Sequence, residues 1–178
     1  MIYRHYRKED MRSIVQLFES VFTDSEGEAE GVLIGQLAQD LFENTDEHDL
    51  FNFVAEDNSQ IIGSIFFSRS DFDTDLEAFI LAPVAVRTDH QGEGIGQALI
   101  SYGLKELKDR GVAVALTYGD PGFYHKVGFH QISHEMIRPP FELSLPEGWL
   151  GQSLAGDSVE SLSGTISCVE ALRNPAYW

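Results

Sequence analysis

Several residue types are scarce in this chain, and each scarcity excludes a class of protein. The single cysteine, Cys168, excludes an internal disulfide and fits a reducing cytoplasm, which is the expected location. No apolar run approaches the roughly 18 residues of a transmembrane helix, and the first residues lack the apolar segment of a signal peptide. The histidines show no paired helical spacing and no CxxC partner, so no metal site is expected.

Basic residues are also scarce. There are 12 Lys and Arg against 29 Asp and Glu, a net charge of −17, and no Lys or Arg lies between Ser13 and Ser68. Nucleic-acid binding depends on basic contacts to phosphates, so no nucleic-acid partner is expected. No membrane partner is expected either, because no apolar run is long enough to span a bilayer. The acidity has two interpretations that the sequence leaves open. It serves solubility in a salty cytoplasm, or it creates a field that gathers a cationic substrate.

Hydrophobic spacing predicts one mixed α/β domain over residues 1–178, in the order β-α-α-β-β-β-α-β-α-β-β. A strand opens near Ile2, a helix follows Asp10, and a break at Thr23 to Gly27 precedes a second helix. The later predictions are strands at 51–56 and 61–68 joined as a hairpin, a turn at 71–75, a strand at 76–86, a helix over about 95–109, a strand at 112–118, a short helix from Pro121 to near Gly128, a strand at 129–138, a loop to Gly156 and a strand at 162–170.

A glycine-rich segment, residues 91–96 (QGEGIG), stands between the predicted strand at 76–86 and the helix that follows. Glycine lets the backbone adopt positive φ and approach a ligand closely. The first N–H groups of a helix have no internal partner, and the helix dipole adds partial positive charge there. The segment therefore predicts an anion site suited to a pyrophosphate.

Three signatures compete for this pattern. A P-loop needs Lys-Ser or Lys-Thr after its last glycine, whereas Gln97 and Ala98 follow here. A dinucleotide-binding GxGxxG would need glycine at position 97. The third signature, Q/R-x-x-G-x-G/A, is matched in full, and it is typical of the GNAT superfamily of N-acetyltransferases. A nucleotide-dependent oxidoreductase is therefore a distant alternative.

Two further segments carry the resemblance to the GNAT superfamily. The hydrophobic-x-Val unit at residues 84–86 precedes the glycine motif, and residues 124–129 (YHKVGF) match the pattern Tyr-x-Lys-x-Gly-Phe after the next strand. The run from Gly119 to Phe129 resembles the bacterial subgroup of YhbS-like predicted acetyltransferases. The resemblance is close over about residues 76–138, the expected acetyl-CoA-binding core. It implies the GNAT fold, a mixed, mainly antiparallel and splayed sheet with helices on both faces.

The resemblance also implies the site and the reaction, in which an amine attacks acetyl-CoA directly. Backbone groups of residues 84–86 would pair with the pantetheine arm and stabilise the developing oxyanion, and the gap between strands would align donor and acceptor. Tyr124 would protonate the leaving thiolate. Lys126 has two interpretations, a solvated surface lysine or a residue that approaches the nucleotide 3′-phosphate. The implied acetyl-CoA contacts are Val84, Ala85, Val86, Gln91, Gly92, Glu93, Gly94, Ile95, Gly96, Gln97, Asp120, Tyr124 and Lys126.

The chain departs from the broader family at two places. Asp120 replaces an Asn that many members carry, and Ile80 occupies the position of the strand Glu that serves histone-type relatives as a base. Glu77, three residues away on the same strand, is the remaining candidate catalytic carboxylate, and water is the alternative acceptor of the amine proton. These departures keep a non-catalytic CoA-binding regulatory or interaction module as the rival hypothesis. The acceptor is an unidentified amine, either of a small molecule or of a protein or peptide. The sequence leaves open whether the protein forms a homodimer.

Overall fold

The computed structural model describes residues 1–72, 76–156 and 163–178. Its helices are α1 Met11–Glu26, α2 Glu28–Asn44, α3 Ile95–Asp109 and α4 Pro121–Tyr124. Its strands are β1 Ile2–His5, β2 Leu50–Asp57, β3 Gln60–Asp71, β4 Glu77–Val86, β5 Val114–Tyr118, β6 His130–Gln131, β7 Ile137–Arg138, β8 Trp149–Ser153 and β9 Gly164–Thr165. Within these ranges no helix is long and apolar enough to cross a bilayer.

Seven strands form one sheet in the order β1-β2-β3-β4-β5-β8-β6, and β7 pairs with β9 in a second sheet of two strands. In the large sheet β4 and β5 are parallel, whereas β1 with β2, β5 with β8 and β6 with β8 are antiparallel. The register of the parallel pair runs from Ala78 opposite Val114 to Leu81 opposite Thr117, and β4 itself continues to Val86. The predicted mixed, mainly antiparallel sheet is confirmed.

The chain divides into two compact units, the first made of residues 1–66 and 83–103 and the second of residues 67–82 and 104–178. In the first unit α2 packs closely on α1 because two of its residues are glycines. A Cβ on Gly31 would lie 2.6 Å from the carbonyl oxygen of Glu19, and one on Gly35 would lie 3.1 Å from the Glu19 Cβ. The aromatic core of this unit includes Phe66, whose ring lies 5.5 Å from that of Phe18 and 4.9 Å from that of Phe42.

An ionic cluster fixes the N-terminal strand of the first unit. The Arg4 guanidinium donates to Asp10 Oδ2 at 2.7 Å and, through Nε, to Glu56 Oε2 at 2.7 Å. Burial raises the pKa of Asp10, but the hydrogen bonds from Arg4 and from the Arg7 backbone N–H outweigh it, so the pKa lies below its usual value. The cluster therefore ties β1 to β2 and to the start of α1.

The second unit is built around β5, which pairs with both β4 and β8. Trp149, the first residue of β8, is fully buried, and its indole N–H donates to the Ile137 carbonyl oxygen at 2.9 Å. Gly151 is needed in β8 because a Cβ there would lie 3.2 Å from Leu116 Cδ2 and 3.3 Å from Ile132. β8 thus combines one large aromatic residue, Trp149, with a glycine two residues later, where neighbouring side chains leave little room for a Cβ.

Three predicted elements are wrong in part. Residues Thr23 to Glu26 belong to α1, because Gly27, at φ +101°, alone interrupts the two helices. The strand expected at 129–138 is split into β6 and β7 by a turn in which the Ser133 carbonyl accepts from Met136 and Ile137. The loop expected up to Gly156 contains β8, which the sequence analysis missed.

The remaining expected elements are largely confirmed. The hairpin turn consists of Asn58 and Ser59, both at positive φ. The final strand is shorter than expected, since β9 is followed by a single bridge between Ile166 and Phe72. Positions 73–75 of the expected turn and position 162 of the expected last strand lie outside the described residues.

Candidate functional site

The end of β4 presents the backbone that the sequence analysis assigned to the pantetheine arm. Val84 and Val86 are half-buried, and Ala85 between them is buried. Pro83 just before them has no N–H, so β4 cannot donate a ladder hydrogen bond at that residue. Gly63 of β3 comes close, since a Cβ there would lie 3.4 Å from the Ala85 carbonyl oxygen. This strand end therefore presents mainly backbone groups and leaves little room for side chains.

The turn at residues 91–94 joins this strand end to α3. Gly92 and Gly94 have φ of +82° and +80°, and nothing lies within 4 Å of a Cβ added at either position. Conformation, not packing, requires glycine there. In the first backbone hydrogen bond of α3, the Ala98 N–H donates to the Gly94 carbonyl oxygen at 3.0 Å. The N–H groups of Ile95, Gly96 and Gln97 precede it, which gives the 15-residue helix an N-terminus suited to a phosphate.

The side chain of Gln91 holds the turn against the strand. Its Nε2 donates to the Val86 carbonyl oxygen at 3.0 Å, so this predicted cofactor contact also closes the connection between β4 and α3. The Arg87 N–H donates to the Ile62 carbonyl oxygen at 2.8 Å, which fixes the other side of the same connection. The predicted residues from Val84 to Gln97 thus lie together in the first unit.

A set of side chains that the sequence analysis missed supports the turn. The Arg87 guanidinium donates to both oxygens of Asp89, at 2.6 and 3.0 Å, and to Gln60 Oε1 at 3.1 Å. Hydrogen bonding with Arg87 lowers the pKa of Asp89. Arg87 Nη2 also lies 2.9 Å from His90 Nε2. Because a guanidinium can only donate, Nε2 accepts, and the ring proton sits on Nδ1, 3.3 Å from Glu93 Oε2.

The remaining predicted residues lie in the second unit. Asp120 is the N-cap of α4, and its Oδ1 accepts from the Gly122 N–H at 2.8 Å. Pro121 occupies the first helical position, and Tyr124 ends the helix. A 3-10 turn over His125–Val127 follows, with Lys126 exposed, and Gly128 closes it at φ +91°. The short helix expected from Pro121 to Gly128 is confirmed.

Packing from three sides determines the position of Tyr124. Its ring meets the rings of Phe123 and Phe129 edge to face, at 5.0 and 5.8 Å. A Cβ on Gly119 would lie 2.6 Å from Tyr124 Cε2, so the ring rests on the Gly119 backbone. Burial raises the pKa of Tyr124, a hydrogen bond with Thr117 opposes the rise, and the charge of Asp120 adds to it. The phenol therefore keeps its proton at physiological pH.

Glu77, the other candidate catalytic residue, opens β4 and is 47% exposed at its side chain. Its Oε1 lies 3.1 Å from Arg69 Nη1, and the Arg69 guanidinium also stacks 5.1 Å above the Phe79 ring. Ile80, at the position of the histone-type base, is buried. Within the described residues, no group of three His, Cys, Asp or Glu side chains is arranged to hold a metal ion.

Comparison with known proteins places this geometry in a family. A family model described as an acetyltransferase (GNAT) domain matches residues 2–132. The chain is 30% identical over 142 residues to the uncharacterized N-acetyltransferase YhbS of Escherichia coli K12, an alignment that covers 79% of this chain and 81% of that protein. It is 28% identical to the uncharacterized N-acetyltransferase YjhQ of the same strain, with 75% and 77% covered.

Solved structures give the same result. The crystal structure of E. coli YhbS in complex with CoA matches with a TM-score of 0.84 and 27% identity, covering 97% of this chain and 92% of that one. A GNAT family acetyltransferase from Brucella melitensis, in complex with acetyl-CoA, matches with a TM-score of 0.70 and 25% identity, covering 96% of each chain. The fold that the sequence motifs implied is confirmed.

Proposed function

Since the chain belongs to the GNAT family of N-acetyltransferases, we propose that it binds acetyl-CoA and transfers the acetyl group by direct attack to a neutral amine group of an acceptor molecule that carries positive charge elsewhere. The observation that carries this proposal is the turn of residues 91–94 at the N-terminus of α3. Two glycines at positive φ and the leading N–H groups of the helix would together cradle a pyrophosphate. The two structural relatives named above are complexes with CoA and acetyl-CoA, which supports the same ligand here.

Acetyl-CoA supplies an activated thioester. In the proposed reaction a neutral amine nitrogen bonds to the acetyl carbon, the carbon–sulfur bond breaks, and the products are an N-acetylated amine and CoA thiol. Backbone groups at Val84 to Val86 would stabilise charge on the carbonyl oxygen. Tyr124 would give its proton to the departing sulfur, and water or Glu77 would take the amine proton.

Gly96→Val tests the binding step. Gly96 is the second residue of α3, and isopropyl bulk there would block the approach of a pyrophosphate. Ser101→Val, at an exposed position of the same helix, is the matched control, because it adds the same β-branched side chain away from the turn. Calorimetry with acetyl-CoA should show binding lost in Gly96→Val and kept in Ser101→Val. Equal affinity of Gly96→Val and the parent would refute the placement.

Turnover is tested separately by the release of CoA thiol with a panel of amines. The proposal expects release with at least one cationic amine. Binding of acetyl-CoA without release for any amine in the panel would contradict the enzymatic proposal and favour the non-catalytic CoA-binding module.

A further inference from the structure

A cavity of about 400 Å³ opens at the end of β5 in the second unit, within the usual size range of small-molecule sites. One wall is the segment from Tyr118 to Pro121, and the other is formed by Leu145, Glu147 and Gly148, just before β8. None of the lining residues belongs to the glycine turn. The cavity is therefore lined by residues other than those of the predicted pyrophosphate cradle, although Asp120 is also one of the acetyl-CoA contacts that the family resemblance implies.

Backbone contacts fix the two walls against each other. The Gly119 N–H donates to the Gly148 carbonyl oxygen at 3.0 Å, and a Cβ on Gly148 would lie 2.9 Å from the Gly119 carbonyl oxygen. The Tyr118 hydroxyl accepts from the Leu145 N–H at 2.8 Å and lies 2.8 Å from Ser144 Oγ. Behind it, the Tyr118 ring stacks on Trp178 with centroids 6.5 Å apart. The cavity is thus pre-formed, which lowers the entropic cost of binding.

The lining has a distinct chemistry. The Tyr118 ring, Pro121 and Leu145 give it an apolar surface, and Leu145 is 61% exposed although it is a large aliphatic residue. Asp120 and Glu147 add two carboxylates, and none of the lining residues is basic. An anion would meet the negative charge of Glu147 and of Asp120, whose Oδ1 alone is engaged among the described residues, by the Gly122 N–H. A cation on an apolar arm would contact both kinds of surface.

The cavity adjoins the proposed acid. Gly119 lines the cavity and supports the Tyr124 ring, and Asp120 caps the helix that Tyr124 ends. The Asp120 charge also acts on the Tyr124 phenol. A molecule held in this cavity would therefore contact Gly119, the residue on which the ring of the proposed acid rests, although Tyr124 itself does not line the cavity.

We propose that this cavity binds the acceptor: a primary amine whose aliphatic arm carries a second, protonated amine, held by the carboxylates of Glu147 and Asp120. The inference rests on the proposed function and adds the acceptor site and its charge preference. The arm lies along Tyr118 and Leu145, and the far ammonium selects the substrate. The reacting amine is neutral when it attacks, so the protonated amine at the other end supplies the attraction.

The test uses three probes of similar length that differ in the charge of one end: 1,4-diaminobutane, n-butylamine and 4-aminobutanoate. Binding is measured by calorimetry and turnover by CoA thiol release. We expect 1,4-diaminobutane to bind and react best and 4-aminobutanoate least. Glu147→Gln should reduce the affinity and kcat/KM for 1,4-diaminobutane by about tenfold or more, because it removes one charge-assisted contact, and change those for n-butylamine less than about twofold.

Glu142→Gln is the matched control, since Glu142 is exposed in the same segment but does not line the cavity. Equal binding of the three probes, or equal losses in Glu142→Gln and Glu147→Gln, would overturn the inference. Acetyl-CoA affinity, measured on the same samples, separates the two proposals. If acetyl-CoA binds tightly but the three probes bind equally, only the assignment of the cavity as the acceptor site is refuted. If probe binding depends on Glu147 but acetyl-CoA does not bind, the cavity is supported as an amine site and the proposed acetyltransferase function is refuted.

Discussion

Gly119→Ala should disable Tyr124, the proposed acid, although the substitution leaves the tyrosine hydroxyl in place. The added methyl carbon would lie 2.6 Å from Tyr124 Cε2, and 3.4 and 3.6 Å from Cδ2 and Cζ. Carbon atoms in contact sit at about 3.5–4.0 Å, so the ring must retreat by about 1 Å. A displacement of that size at a reacting group can cost about 10²-fold in rate. We therefore expect kcat to fall by about 10²-fold, and overpacking to cost about 1–3 kcal/mol of unfolding free energy.

The measurement is CoA thiol release at saturating acetyl-CoA and amine, with urea unfolding on the same variants. A double-mutant cycle isolates the route of the effect. Tyr124→Phe keeps the ring but removes the proton, so Gly119→Ala should lower kcat little further in that background. Tyr124→Ala removes the ring, so the stability cost of Gly119→Ala should shrink there. Parental kcat and stability in Gly119→Ala, or the same fold loss of kcat in both backgrounds, would refute the reasoning.

Four other predictions follow from the same structure. Tyr124→Phe should lower kcat by about 10²–10⁴-fold, while the acetyl-CoA affinity measured by calorimetry stays unchanged. Because burial raises the pKa of the Tyr124 phenol, the parent protein should keep this phenol protonated to pH values above the usual tyrosine range. Asp10→Asn should cost about 1–3 kcal/mol at pH 7. Because the folded pKa of Asp10 is depressed, that cost should begin to shrink in urea titrations as pH falls below about 4, the ordinary Asp value, and should vanish only below the folded pKa. Cys168, whose thiol pKa burial raises to about 11, should react with a thiol reagent at pH 8 only after denaturation. Rising salt should lower kcat/KM for 1,4-diaminobutane, since the field of the acidic N-terminal segment is screened over about 8 Å at physiological ionic strength; no salt effect would leave the acidity as a matter of solubility.

The glycine turn was predictable because its requirement is local. Gly92 and Gly94 adopt φ angles that other residues rarely adopt. The turn therefore requires glycine at two positions a fixed distance apart, and that spacing can be recognised in the sequence. The helix after it was predictable for a similar reason. Its apolar positions Ile95, Leu99, Ile100, Leu104 and Leu107 recur at helical spacing and are all buried. Local conformation and periodicity together predicted the glycine turn and the helix that follows it.

Strand β8 was missed because nothing local identifies it. Its five residues contain a glycine, and they follow a segment rich in proline and glycine that reads as loop. What makes it a strand is pairing with β5, some thirty residues earlier, where Trp149 stands opposite Tyr118 and Gly151 opposite Leu116. The cavity wall before β8 was missed for the same reason. Its hydrogen bonds join Gly119 to Gly148 and Tyr118 to Leu145 across that sequence separation.

Glycine therefore has two different uses in this chain, and they predict different mutant behaviour. At Gly92 and Gly94 there is open space around a Cβ, so substitution strains the backbone and should weaken acetyl-CoA binding. At Gly119 and Gly148 the backbone is crowded, so substitution should move a ring or a cavity wall and change kcat and stability together. We therefore expect acetyl-CoA binding to depend on Gly92 and Gly94, and turnover to depend on Gly119 and Gly148. Variants of one set should lose acetyl-CoA affinity at constant kcat, and variants of the other should lose kcat at constant acetyl-CoA affinity, a division that kinetics on four single alanine variants can test.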